Sequence, residues 1–267
     1  MMHPLAYFLS LSLIVTASAS PTLSKELTEA PTPVATQAIQ KHLLLHQVDL
    51  KLFQNLGFKP LIGKDLSSWK IHNPSDAVSY SLKDGVISGK AQNLKGNSFL
   101  YTSDKYADFL LYFEFRFDHM KGNSGLMYRS QYQGKNFTGL QYEMDNAVKV
   151  QDGVTRQWTG LLYAEKSGGW LYPNRDKAIG SRAIASLEWK NQLSAKGHQT
   201  LNSSGWNAAF IRVRGNEIQS WLNGELRTDF SSPDPDFAQQ GAIALQMHGG
   251  KECAASWRNI YILPLSQ

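Results

Sequence analysis

The sequence predicts an all-β chain, a jelly-roll β-sandwich of two antiparallel sheets preceded by one short N-terminal helix. Three observations carry this. From about Phe58 onward apolar residues recur at every second position in short runs, the period of a strand with one buried and one polar face. Gly, Asn, Asp and Ser separate the runs, with turn signals at Lys83-Asp84-Gly85, Arg214-Gly215-Asn216 and Asn223-Gly224; both central positions of a tight hairpin turn favour positive φ, which Asn and Gly tolerate. Helical periodicity stands out in only one stretch, near the amino terminus. Many short strands with little helix describe a sandwich in which each sheet buries one face against the other.

Taken in order, Met1 to Ala19 holds no Lys, Arg, Asp or Glu and carries an apolar run from Leu5 to Val15. Ala17-Ser18-Ala19 matches the small-residue pattern of a signal peptide, with cleavage after Ala19 or Ser20, and about 11 apolar-rich residues fall short of the ~20 that span a bilayer. Residues 1–19 are therefore expected to direct export to the periplasm or the extracellular space, with no transmembrane segment once they are removed. Residues 20–56 combine a flexible tether containing Pro21, Pro31 and Pro33 with a short amphipathic helix between Thr36 and Phe53, on which Ile39, Leu43, Leu44, Leu50 and Phe53 recur. The sandwich domain is expected over 57–267. Its clearest strand is Phe109 to Asp118, with Leu111, Phe113, Phe115 and Phe117 on one face and Tyr112, Glu114, Arg116 and Asp118 on the other. Further strands are read at Ser124–Arg129, Gly139–Asp145, Phe210–Arg214, Ile218–Leu222, Ala242–Met247 and Ser256–Leu263.

Composition narrows the function. The single cysteine, Cys253, excludes an intramolecular disulfide framework and a Cys-only zinc site, and is expected to be a buried small residue. The net charge of +5 is spread over Lys and Arg that mostly stand singly, so no nucleic-acid partner is expected. Period-two geometry instead groups polar side chains: Gln141, Glu143 and Asp145 share one face of their strand, and Gln246 and His248 share one face of theirs. Where two such faces meet, they combine acid, base and hydrogen-bonding groups. Arg129 and Arg258 are candidate ion-pair partners for Glu143 or Asp145. No cofactor is expected, although Glu143, Asp145 and His248 have the chemistry to hold a divalent metal despite the absence of an HExxH spacing. Tryptophans at 158, 170, 189, 206, 221 and 257 suit a carbohydrate partner, because aromatic rings pack on the C–H faces of a pyranose. Laminarinase-type glucanases carry Glu-x-Asp-x-x-Glu on one strand; Glu143 and Asp145 supply its first two acids, but Val148 stands at the third. A retaining glycosidase needs two carboxyl groups about 5 to 5.5 Å apart, so that chemistry is disfavoured.

The fragments Asn123-Ser-Gly-Leu-Met-Tyr-Arg129, Gly139-Leu-Gln-Tyr-Glu-Met-Asp145, Thr159-Gly-Leu-Leu-Tyr163, Gly205-Trp-Asn207, Leu222-Asn-Gly224, Gly241-Ala-Ile-Ala-Leu-Gln-Met-His248 and Trp257-Arg-Asn-Ile260 occur in this order. As a set they resemble the 3-keto-disaccharide hydrolase domain family, over about residues 57 to 265. The resemblance implies a concanavalin-like jelly roll, exported by bacteria and acting on glycosides already oxidised at C3. A C3 ketone acidifies the C2 proton, so a base can form an enolate and the C1 substituent can leave by β-elimination or with net hydrolysis. Carried over by position, Glu143 or His248 is the base and Arg129 stabilises the enolate or orients hydroxyls. Asn123, Asp145, Gln141, Gln246, Arg258 and Tyr163 are substrate-binding positions. The competing expectation is a carbohydrate-binding module with the same aromatic and acidic face and no catalysis.

Overall fold

The computed structural model describes residues 50–118, 122–133, 136–146, 149–151, 154–172, 186–232, 234, 237 and 239–265. The leader, the tether, most of the helix expected between Thr36 and Phe53, and Val148 lie outside the described residues. The chain starts with α1 (Leu50–Asn55) and continues through β1 (Lys59–Pro60), β2 (Trp69–His72), β3 (Val78–Lys83), β4 (Val86–Leu94), β5 (Ser98–Thr102) and β6 (Phe109–Phe117). Then come β7 (Asn123–Gln133), β8 (Asn136–Asp145), β9 (Lys149–Gln151), β10 (Val154–Arg156), β11 (Leu162–Glu165) and β12 (Gly169–Trp170). After α2 (Leu187–Thr200) follow β13 (Asn207–Arg214), β14 (Glu217–Leu222), β15 (Glu225–Ser231), β16 (Ala242–Met247) and β17 (Gly250–Pro264).

Fifteen of these strands make two antiparallel sheets, and β9 and β10 pair separately as a two-stranded antiparallel ribbon. One has eight strands, in the order β15-β14-β13-β6-β17-β4-β3 with β1 added to β17, and the other has seven, in the order β12-β11-β8-β7-β16-β5-β2. Alternation decides which side chains lie between them. Leu111, Phe113, Phe115, Ala255 and Trp257 line the eight-stranded side, while Leu126, Tyr128, Tyr142, Met144, Leu245 and Met247 line the other, all buried. The layers touch where Phe113 meets Tyr142 edge-to-face at 5.2 Å and where Trp257 Nε1 points at Met144 Sδ, 3.4 Å away. Each such large apolar side chain contributes about 1.5–3 kcal/mol on burial. The anticipated hairpins form: Asn223 and Gly224 take φ of 47° and 84°, and Asp84 and Gly85 take 51° and 74°.

Two local features depart from the alternation. Tyr112, expected on a polar face, is buried beneath α1, where Phe53 stacks on it at 4.9 Å within a second apolar cluster that includes Leu56, Phe58, Phe210 and Trp221. Helix α2 has no counterpart among the elements expected from the sequence. Its amino terminus is capped by Ser186 Oγ, which accepts from Trp189 N, and Leu193, Ser194 and Gly197 form its buried stripe. Gly197 leaves room for the carbonyl of Gln157 and the guanidinium of Arg227, both of which a Cβ would meet within 2.7 Å.

Arg129 is a structural clamp and does not belong to the polar face, which corrects the enolate-stabilising role expected for it. It sits in the left-handed region (φ 49°) at an irregularity in the β7–β8 pairing, and that kink turns its side chain away. Its Nε donates to Ala107 O (2.9 Å), Nη1 to Gly215 O (2.8 Å) and Nη2 to Asp108 Oδ1 (2.9 Å), so the fork joins β7 to the start of β6 and the β13–β14 turn. Burial lowers its pKa, with Asp108 opposing that shift. Arg129→Ala takes the buried fork away from the Ala107 and Gly215 carbonyls and from the part-exposed Asp108 carboxylate, which keeps the Gly215 N–H as donor, and is expected to cost about 3 kcal/mol. Urea unfolding of the two proteins measures this; a loss below about 1 kcal/mol (~5-fold in the folding equilibrium) contradicts the clamp.

Candidate functional site

The outward face of the seven-stranded sheet carries the polar residues in rows. Gln246, Gly125 and Glu143 stand abreast on β16, β7 and β8, and the next row holds Ala244, Met127, Gln141 and Tyr163. Asn123 stands opposite Asp145 at the other side of the first row. Gly125 matters because it has no side chain. A Cβ there would lie 2.5 Å from Gln141 Cδ, so the Gln141 amide passes directly over this glycine and reaches both neighbouring strands.

That path produces a chain of hydrogen bonds ending on one carboxylate. Asn123 Nδ2 donates to Glu143 Oε1 at 2.8 Å, Gln141 Nε2 to Glu143 Oε2 at 2.8 Å, and Gln246 Nε2 to Gln141 Oε1 at 3.0 Å. Glu143 is only 4% exposed, and its pKa is pushed up to about 7. Burial is the largest cause and the charge of Asp145 the second; the Asn123 and Gln141 hydrogen bonds and the charge of Arg156 act against them.

Asp145 is wholly buried and paired with Arg156, whose Nη2 and Nε lie 2.6 and 3.2 Å from Asp145 Oδ2. The guanidinium also stands 5.0 Å from the ring centre of Trp158 and 5.4 Å from that of Trp170, and these indoles meet edge-to-face at 4.5 Å. Tyr163, half-buried, packs against Trp170 at 5.1 Å. Burial raises its pKa, helped by the charges of Glu165 and Glu143. The segment 157–161 extends the sheet along the end of β8: Gln157 Nε2 donates to Asp145 O, Glu143 N to Leu161 O and Gly160 N to Glu143 O. Behind it, the buried Arg227 donates to the carbonyls of Thr159, Leu193 and Gln157, locking this segment to β15 and α2.

The structure thus gathers Asn123, Gln141, Glu143, Asp145, Gln246 and Tyr163. His248 stands one residue beyond the end of β16, exposed at the rim, with Nδ1 2.6 Å from the carbonyl of Gly249. A carbonyl only accepts, so Nδ1 carries the proton of the neutral ring and Nε2 is the basic atom. Arg258 lies elsewhere, which corrects its expected place at this site. It follows core residue Trp257 on β17, ion-pairs with Glu114 at 2.6 Å and covers Trp206, on the outside of the other sheet. Neither it nor Arg129 pairs with the acids. That part is taken by Arg156, on a three-residue strand too short to show alternation. Gly125 also escapes sequence reasoning; a lone glycine within an otherwise regular strand is the available signal. Among the described residues no three His, Cys, Asp or Glu side chains are gathered to hold a metal ion, and no helix is long and apolar enough to cross a membrane. Cys253 is buried, and burial pushes its thiol pKa up.

Beside the acids lies an apolar patch on the same face. Phe99, next to Gln246, stacks on Phe137 at 4.6 Å, with Met127, Ala244 and Tyr101 around them. In class the protein is a jelly roll with a buried acid and its amides on the outward side of one sheet. A crystal structure described as a "putative glycosyl hydrolase", from Parabacteroides distasonis, aligns at TM-score 0.54 and 19% identity, covering 82% of this chain and 98% of that one. A galectin-like protein of unknown function from Bacillus subtilis aligns at TM-score 0.52 and 12% identity, over 77% and 93%. At such identities the likeness is one of fold. No curated protein gives a significant match. The family model described as a 3-keto-alpha-glucoside-1,2-lyase-like domain matches residues 57–263, and the chain belongs to that family.

The raised pKa of Glu143 has a stability consequence. The folded protein holds this proton more tightly than the unfolded chain, whose ordinary value is 4.5, so the contribution is complete below pH 4.5 and is lost as pH rises through about 7. Relative to Glu143→Gln, the wild type is expected to lose up to about 3 kcal/mol across that window. Urea unfolding of both proteins over a pH series measures the difference; curves that stay parallel contradict it.

Proposed function

We propose that this protein cleaves 3-keto-glycosides, with Glu143 as the base that removes the C2 proton. The observation that carries the reading is Glu143 itself, a buried carboxylate outside the apolar core, held on both oxygens by amides, its pKa pushed up to about 7 by burial. A general base works best with a pKa near the working pH, and strongly perturbed acids mark functional sites.

In the proposed step Glu143 takes the proton from C2 and the C2–H electron pair delocalises onto the C3 oxygen as an enolate. The pair then returns to form the C1–C2 double bond while the C1–O bond breaks, and the leaving oxygen gains a proton. The products are a 1,2-unsaturated 3-keto sugar and the free aglycone; addition of water across the double bond would complete a net hydrolysis. Arg156 is the cation in range of Glu143 and the developing negative charge. His248, with Nε2 as its basic atom, is the rim group suited to proton transfer at the leaving oxygen. Tyr163 and the half-buried Trp170 are the proposed contacts of the sugar, whereas Asp145, wholly buried, acts in this proposal by holding the Arg156 guanidinium. Export through residues 1–19 and a sandwich domain from residue 57 complete the proposal.

The test is aglycone release from a panel of 3-keto-glucosides, with and without chelator. The wild type is expected to release aglycone at a rate that falls as pH drops through about 7, because the base is then protonated. Glu143→Gln is expected to be slower by about 10² to 10⁴ while staying folded. Binding of unoxidised oligosaccharide with no release from any 3-keto-glucoside would instead establish a carbohydrate-binding module.

A further inference from the structure

We propose that Gln141 and Gln246 form a directional amide relay whose polarity is set by residue 143, so that Gln246 offers its ligand a hydrogen-bond acceptor and selects a hydroxyl there. The relay rests on the protein alone. The identification of its ligand group as a sugar hydroxyl rests on the glycoside reading above.

Direction follows from the chemistry of the end group. A carboxylate only accepts, so Glu143 Oε2 requires Gln141 to present Nε2, which it does at 2.8 Å. The other end of the same planar amide is then Oε1, which requires Gln246 to present Nε2, as it does at 3.0 Å. The remaining atom, Gln246 Oε1, is buried without a hydrogen-bond partner. Turning either amide round would set two oxygens face to face, and Gly125, against which the Gln141 amide lies, offers no side chain as an alternative partner. The unsatisfied atom is therefore fixed as an acceptor by a carboxylate two side chains away. A buried acceptor is costly to leave unmade, and a ligand O–H supplies what it lacks.

An amide at position 143 would reverse the order. In Glu143→Gln, Asn123 Nδ2 holds the new carbonyl, and the new NH₂ faces Gln141. Gln141 must then turn Oε1 toward it and Nε2 toward Gln246, whose Oε1 becomes the acceptor within the relay. Gln246 Nε2 is left facing the ligand, and the preference changes from a hydroxyl to a group that only accepts.

Neutron crystallography of the deuterated full-length protein reads the relay directly, since deuterons distinguish amide nitrogen from oxygen. The wild type at alkaline pH, where Glu143 is ionised, should show Gln246 deuterons pointing at Gln141, and Glu143→Gln should show both amides turned. Gln246 Oε1 facing Gln141 in the wild type, or unchanged amides in the variant, would overturn the relay. The ligand half is read by titrating both proteins with methyl α-glucoside and its analogues carrying fluorine in place of each hydroxyl in turn. One fluoro analogue should bind the wild type at least about 10-fold more weakly than the parent, and that ranking should reverse in Glu143→Gln. An unchanged ranking overturns the selection of a hydroxyl. Turned amides with no glucoside bound by either protein uphold the relay and overturn the assignment of its ligand group to a glucose hydroxyl.

Discussion

A carboxylate removed from water needs hydrogen-bond donors around it, and in this protein the demand is made by Glu143. The surroundings of the site follow from meeting it. Desolvation raises the proton affinity of the group, and the nearby Asp145 raises it further. Two amides and a more distant guanidinium keep the charged form accessible near neutrality. Neither influence alone would leave an acid poised between its two forms at neutral pH.

The sandwich makes that balance available because a sheet buries one face and leaves the other for polar work. Tyr142 and Met144 fill the core from β8, and alternation then places Gln141, Glu143 and Asp145 on the opposite side. Strand order adds β7 and β16 beside β8, so that Asn123 and the Gln246 amide arrive from neighbouring strands. Gly125 removes the one side chain that would block the Gln141 amide between them. Segment 157–161 fixes the end of β8 through backbone hydrogen bonds, and Arg227 fixes that segment from behind. The pin on the site side is thus Arg227, while Arg129 performs a similar task at the junction of β7, β6 and the β13–β14 turn.

Much of this is legible in the sequence, for reasons visible at particular residues. Period-two alternation identifies the paired faces of β6, β8 and β16, and positive φ demands identify the Asp84-Gly85 and Asn223-Gly224 turns. Alternation describes a strand's own faces, however, and not what another element lays over them. It therefore points Tyr112 outward, although α1 covers it. The same limit explains the arginines. Charge alone makes Arg129, Arg156 and Arg258 equal candidates for pairing with the acids; a left-handed kink turns the first away and the other sheet carries the third. Helix α2 is hidden because Gly197, which lets it pack closely against Gln157, and Ser194, which accepts from Trp158 Nε1, weaken its apolar stripe. The polar cluster is legible as a set of faces, whereas the direction of its hydrogen bonds emerges only from the cross-strand register.

The central claim is that burial among amides, rather than solvent, sets the proton affinity of Glu143. Its most direct test is a carbon-13 NMR titration of the Glu143 side-chain carboxyl in the ligand-free wild type, assigned by comparison with Glu143→Gln. The account predicts a midpoint near 7. A midpoint at the ordinary value of 4.5, or below it, would contradict it.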